Sequence, residues 1–249
     1  YKLGTKNIIG EACVVSTFVD SKGRIWVGTD KDGLYCLDGT EHRLLRHYIE
    51  NFPSTIMSIA EDNTGRIWIG SYAEGFGYID AGGTYHKYPQ YPNTSAFSIQ
   101  ADKKGEVWVA TMGQGLLRVT SSSVKAYTQH QNAPDNPSIN SIANDYISKM
   151  SLSPDEKRIY LATTMGICCL DIEKESWVSV FGKNCLNYGT PCRVVKEYDG
   201  QLWIGANDGL FRYDLREKKF QPYVVDKGLS DNGIIARSEE RRVGKECRS

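Results

Sequence analysis

Short runs in which apolar residues alternate with small or polar ones recur along this chain at a steady interval. In one stretch, Thr55-Ile56-Met57-Ser58-Ile59-Ala60-Glu61 has the period of a half-buried strand, and Asp62-Asn63-Thr64-Gly65 then marks a turn. Arg66-Ile67-Trp68-Ile69-Gly70 predicts a second strand, Gly75-Phe76-Gly77-Tyr78-Ile79-Asp80 a third and Thr84-Tyr85-His86-Lys87-Tyr88 a more exposed fourth. No segment keeps a helical period. The same order returns around Trp26, Trp108, Tyr160 and Trp203, and these anchors with Trp68 lie 42, 40, 52 and 43 residues apart. One supersecondary unit copied side by side gives that spacing.

Each copy carries Gly-x-Ile/Leu/Val-Trp-Ile/Val-Gly/Ala, a polar turn, and then Gly-Leu-aromatic-x-hydrophobic-Asp. Copy one is Gly23-Arg24-Ile25-Trp26-Val27-Gly28-Thr29 with Gly33-Leu34-Tyr35-Cys36-Leu37-Asp38. The closing Gly of Asp20-Ser21-Lys22-Gly23, Asp62-Asn63-Thr64-Gly65 and Asp102-Lys103-Lys104-Gly105 suits a hairpin turn that needs a positive φ. Four antiparallel strands per forty residues make a propeller blade, and a lone blade must stack on neighbours to bury its faces. The expected fold is therefore all-β, a β-propeller of four-stranded antiparallel blades over residues 1–236. It is incomplete, with five full blades and partial blades at Tyr1-Lys2-Leu3 and 228–236. The Trp of each second strand is expected to wedge between blades, with the nearby Gly letting the next sheet approach.

Residues 237–249 break the pattern and look non-native; without them 25 basic and 27 acidic residues remain. That balance gives no electrostatic reason to expect nucleic acid or direct membrane contact. No signal peptide or membrane span is read within these 249 residues, which says nothing of a longer parent chain. Cys13, Cys36, Cys168, Cys169, Cys185 and Cys192 show no zinc spacing. Cys168 and Cys169, adjacent on a strand, should face opposite sides as small hydrophobes; Cys185 and Cys192 either pair or stay as thiols.

The repeated Asp-x-x-Gly-x-Ile-Trp-Ile-Gly-Thr … Gly-Gly-Leu pattern resembles the two-component regulator propeller repeat over nearly all of residues 12–236. Copy four departs from it, with Tyr160 for Trp and Pro154-Asp155-Glu156-Lys157 for the Gly turn. The resemblance implies a periplasmic sensor region of a bacterial hybrid two-component system. In that family two seven-bladed propellers and a β-sandwich precede a membrane helix and a histidine kinase, and many members sense oligosaccharides.

No catalytic, metal or cofactor motif stands out, so the chain is expected to be non-catalytic and to need no cofactor. Asp30-Lys31-Asp32-Gly33 lacks the further acidic positions of a calcium loop and reads as a turn. The turns between second and third strands vary while the strands around them repeat, which frees them for a ligand. Tyr72 is the candidate for stacking on a sugar, and Asp32, Glu74, Gln114, Asn207 and Asp208 are candidate polar contacts. The long connection 129–144 is expected to overhang the same face as a lid or partner contact. Tyr85, His86, Tyr88 and Tyr91 form an aromatic outer edge, either a protected edge strand or a surface for a neighbouring propeller or homodimer. Expected partners are an oligosaccharide and the neighbouring propeller and β-sandwich domains of a longer parent chain. The rival readings are a propeller lyase or glycosidase and a protein-interaction propeller.

Overall fold

The computed structural model describes residues 9–129, 142, 144–178 and 190–223. The expected partial blades at 1–3 and 228–236, most of the long connection, Cys185 and the tail lie outside them.

Among the described residues, twenty strands form five separate four-stranded antiparallel sheets, each in simple sequence order. Blade 1 holds β1 (Cys13–Val19), β2 (Ile25–Asp30), β3 (Leu34–Leu37) and β4 (Leu44–Tyr48). Blade 2 holds β5 (Ile56–Glu61), β6 (Ile67–Ser71), β7 (Phe76–Ile79) and β8 (Tyr85–Lys87). Blade 3 holds β9 (Ala96–Ala101), β10 (Val107–Thr111), β11 (Leu116–Val119) and β12 (Val124–Tyr127). Blade 4 holds β13 (Ile147–Leu152), β14 (Arg158–Thr163), β15 (Gly166–Asp171) and β16 (Ser176–Trp177). Blade 5 holds β17 (Cys192–Tyr198), β18 (Gln201–Ala206), β19 (Gly209–Asp214) and β20 (Lys219–Tyr223). The first strands pack in succession, β1 on β5, β5 on β9, β9 on β13 and β13 on β17, as inner strands of a propeller do.

The core lies in the seams between blades. Trp26 packs with Ile56, Ile59 and Ile67 of the next blade, and Trp68 packs with Ala96, Ile99 and Val107. Trp108 meets Met150 and Ile159, and Tyr160 meets Val195 and Leu202. All four anchors are fully buried, and burying such a ring stabilises by roughly 2–3 kcal/mol. Trp203 is only half-buried, because no blade beyond the fifth covers it among the described residues. Cys168 and Cys169 do face opposite ways, one into each seam beside blade 4. Burial pushes the Cys169 and Cys192 thiols up to about 12. The aromatic edge of blade 2 turns inward: Tyr88 stacks on Phe76 and Tyr85 packs on Phe52.

In blades 1 to 3 the aspartate that opens the hairpin turn is buried and organises three things at once. Asp62 accepts from the backbone N–H groups of Thr64 and Arg66, from Arg66 Nε at 2.7 Å and from the Trp68 indole N–H at 2.8 Å. Asp20 does the same for Lys22, Arg24 and Trp26, the indole again at 2.8 Å. Asp102 takes the Trp108 indole at 3.2 Å and the Glu106 N–H at 2.9 Å. The carboxylate thus closes the turn and fixes the rotamer of the ring that fills the seam. The guanidinium of Arg24 lies over the Trp26 ring and that of Arg66 over Trp68. Blade 3 has Glu106 in place of that arginine, and Arg118 from β11 covers Trp108 instead, held by Glu106 at 2.7 and 2.8 Å.

Inner strands approach closely enough to bond each other. Ser16 Oγ donates to Ile56 O at 2.8 Å, and Ile99 N–H donates to Ser58 Oγ at 2.9 Å. A Cβ placed on Gly70 would lie 2.6 Å from Ala96 O, so the second-strand glycine is what admits the next blade.

Removing the Asp62 carboxylate in Asp62→Ala leaves a buried indole N–H and two turn N–H groups without their acceptor. The expected loss is about 3 kcal/mol of unfolding free energy in a urea titration. Burial alone would raise the Asp62 and Asp20 carboxyls, but the bonds from Trp, Arg and turn N–H groups outweigh it and hold both below the ordinary value. Their contribution is therefore complete above the unfolded value of about 4 and is lost as pH falls through the lower folded values. The urea midpoint should stay flat from about pH 7 to 5, fall below about pH 4, and fall less steeply in Asp62→Asn. Gly70→Val forces the Ala96 backbone away and should cost about 1–3 kcal/mol or more in the same assay.

Candidate functional site

The turns between second and third strands and the linkers between blades share one face, and a regular backbone lattice joins them. Gly33 N–H donates to Ser54 O at 2.8 Å, Gly75 N–H to Thr94 O at 2.9 Å and Gly115 N–H to Asp145 O at 3.1 Å. Each bond runs from the turn of one blade to the linker entering the next. From that next blade, Tyr72 N–H donates to Thr55 O, Met112 to Ser95, Thr164 to Tyr146 and Asn207 to Pro191. In blades 1 to 4 a buried Thr or Ser at the end of the second strand seals its turn: Thr29, Ser71, Thr111 and Thr163 donate to Gly33 O, Gly75 O, Gly115 O and Gly166 O. These bonds leave a sequence-variable rim on a fixed frame.

The six residues expected from sequence all lie on this rim, though most are already engaged. Glu74 Oε1 accepts from Ser54 N at 2.9 Å and Ser54 Oγ at 2.6 Å. Gln114, at the equivalent position of the next blade, accepts from Thr94 Oγ1 at 2.8 Å. Both therefore fasten a turn to the linker before it. Asp32 accepts from the Tyr35 hydroxyl, and His47 Nε2 bonds Asp32 O at 2.8 Å, with His47 stacked on Tyr35. Burial and the adjacent Asp32 push the Tyr35 phenol up to about 12. Asn207 Oδ1 accepts from Arg193 Nε at 2.8 Å, and Asp208 beside it is exposed. Tyr72 is 57% exposed, and its ring lies 6.2 Å from that of Phe97.

What the sequence reading missed is a bulge at the same place on every inner strand. Ladder pairing skips one residue where β1, β5, β9, β13 and β17 meet the end of the second strand. The skipped residues are Val15, Met57, Phe97, Ser148 and Arg193, each next to the turn face. In blades 2, 3 and 5 the skipped residue is at least partly exposed while its two neighbours are buried. A bulge re-aims its side chain away from the ladder, a common device beside binding sites. Tyr146 was also missed. It occupies the linker position of Thr55 and Ser95, bridges to Met112 and is 50% exposed. Tyr72, Phe97, Met112 and Tyr146 thus follow one another along blades 2 to 4 as a partly exposed apolar arc. The signal available was divergence: an aromatic at 146 where blades 2 and 3 carry Thr55 and Ser95 and blade 5 carries Pro191, and five different residues at the bulge.

No group of three His, Cys, Asp or Glu side chains suited to a metal occurs among the described residues. The histidines at 42, 47 and 86 lie on the outer strands or the turns beside them.

Comparison with known proteins bears on the fold and the family. The virginiamycin B lyase of Staphylococcus aureus superposes with a TM-score of 0.67 at 15% identity, over 88% of this chain and 72% of that one. The extracellular domain of a putative hybrid two component system from B. thetaiotaomicron gives 0.63 at 24% identity, over 79% of this chain. PorZ, a surface component of the type-IX secretion system of Porphyromonas gingivalis, gives 0.68 at 17% identity, over 90% of this chain. This chain spans 27% of that sensor domain and 35% of PorZ. No curated protein matches the sequence significantly. The model of the two component regulator propeller matches residues 9–31, 52–73 and 90–113, each window running from a linker through an inner strand to the end of the second strand. That repeat therefore matches three consecutive blades, and its aspartate–tryptophan pair is buried in each of them.

Proposed function

We propose that this propeller is the ligand-sensing part of a bacterial two-component sensor, lies outside the cytoplasm, and takes an oligosaccharide on its turn face. The observation that carries this reading is the arc of Tyr72, Phe97, Met112 and Tyr146, partly exposed on a rim whose backbone is otherwise bonded. Sugars present apolar ring faces that stack on aromatics and hydroxyls that need paired hydrogen bonds. Tyr72 and Tyr146 supply the stacking rings. Asn207 and Asp208, exposed on blade 5, supply polar contacts, and Asp32, Glu74 and Gln114 border the arc. Two sensor domains of hybrid systems share this fold, which supports the assignment, as does the repeat itself. A ligand bridging the arc to a neighbouring domain would move the ring as one body, since its blades are tied on both faces.

A lyase is the second reading, favoured by the superposition on virginiamycin B lyase over most of both chains. Incubation with linear and cyclic substrates, followed by mass spectrometry, separates it from sensing: bond cleavage would replace the sensor reading.

Calorimetric titration with a panel of neutral and acidic oligosaccharides tests the site. Tyr72→Ala and Tyr146→Ala are each expected to weaken the best binder about tenfold or more, a loss of about 1.4 kcal/mol, with the melting temperature nearly unchanged. A panel without any binder, or an affinity in both variants unchanged from that of the unsubstituted chain, refutes it.

A further inference from the structure

The residues that bulge out of the inner strands divide the mouth of the described ring into two chemically different parts. Val15, Met57 and Phe97 on blades 1 to 3 are apolar, whereas Ser148 on blade 4 and Arg193 on blade 5 are polar. Lys149, half-buried directly after Ser148, adds a positive charge on the polar side. Arg193 is exposed while Cys192 and Val194 on either side of it are buried, so the bulge turns its guanidinium out of the ladder at the turn face.

Most carboxylates of the rim already hold a partner. Asp30 accepts from Thr55 Oγ1 at 3.0 Å, Asp32 from the Tyr35 hydroxyl, Glu74 from Ser54 Oγ and Asp145 from the Gln129 N–H at 2.7 Å. Arg193 differs. Among the described residues its side chain makes one bond, from Nε to Asn207 Oδ1 at 2.8 Å. Asp208 is exposed next to Asn207 but forms no ion pair with Arg193. The Asn207 bond restrains the guanidinium and leaves its two terminal nitrogens as donors. A planar fork held in this way matches a carboxylate through two parallel N–H···O bonds.

We propose that the ligand of the turn face is an acidic oligosaccharide and that Arg193 selects it by binding a uronate carboxylate, an inference that rests on reading that face as a sugar site. Sugar rings stack along the arc from Tyr72 to Tyr146, and the carboxylate is held on the blade that follows. The lattice makes these neighbours: Thr164 N–H donates to Tyr146 O and Asn207 N–H to Pro191 O, so the linkers leading to Ser148 and Arg193 sit on successive blades of one face. A neutral chain of equal length stacks in the same way and gains nothing from the fork. The pair is exposed, so its contribution is moderate and falls as salt screens it.

Calorimetry of the 249-residue chain with tetrasaccharides of glucuronate, galacturonate and mannuronate, each beside its methyl ester and the matching neutral hexose, tests the assignment. The best binder is expected to be an acid, about fivefold or more tighter than its own ester, and to lose that advantage between about 50 and 500 mM sodium chloride. Arg193→Gln should bring acid and ester to equal affinity, while Arg193→Lys, which keeps the charge without the fork, should retain part of the preference. Tyr72→Ala should weaken acid and ester alike. The melting temperature checks that each variant is folded, and Arg193→Lys carries the test should Arg193→Gln unfold. A neutral best binder, equal affinity for acid and ester, or a preference that survives Arg193→Gln overturns this inference and leaves the sugar site standing. No binding by any probe overturns both.

Discussion

A single hydrogen bond, from an indole N–H to a buried carboxylate, underlies the architecture. The tryptophan alone would fill a seam, but a ring with one polar atom needs a partner when it is desolvated. Asp20, Asp62 and Asp102 provide it from a turn whose own N–H groups neutralise the carboxylate, so local and long-range structure are fixed by one residue. The guanidinium over each ring completes the arrangement. Its origin shifts from Arg24 and Arg66 to Arg118 when Glu106 takes the usual place, which shows that charge and position are conserved physically, whatever the strand that supplies them.

Most of the fold was legible because packing repeats. The strands expected over 55–61, 66–70, 75–80 and 84–88 occur at Ile56–Glu61, Ile67–Ser71, Phe76–Ile79 and Tyr85–Lys87. Alternation, the turn glycines and the tryptophan period all report the same demand, burial between sheets. The role of the hairpin aspartate was not legible, since Asp-x-x-Gly fits a solvent-exposed turn equally well, and only the coordinates place its carboxylate under an indole.

The rim was legible in location and less so in its members. Variation between copies drew attention to the turns, yet it cannot separate a residue that varies freely from one that varies while still holding a linker. Glu74 and Gln114 differ in type and do the same job, fastening to Ser54 and Thr94. The inner-strand bulge escaped because an extra residue inside an apolar run leaves the alternation almost intact, as in Ala96-Phe97-Ser98. Copy four shows the converse: its weak signature was visible, but the space beside Tyr160 is also lined by Glu197, which another blade supplies.

The bulge gives this ring an unusual freedom to change. Val15, Met57, Phe97, Ser148 and Arg193 sit outside the ladder, so a substitution at any of them leaves every inter-strand pair in place. A lineage can therefore change the chemistry of the mouth by single codon changes at five stations, without having to re-optimise the scaffold each time.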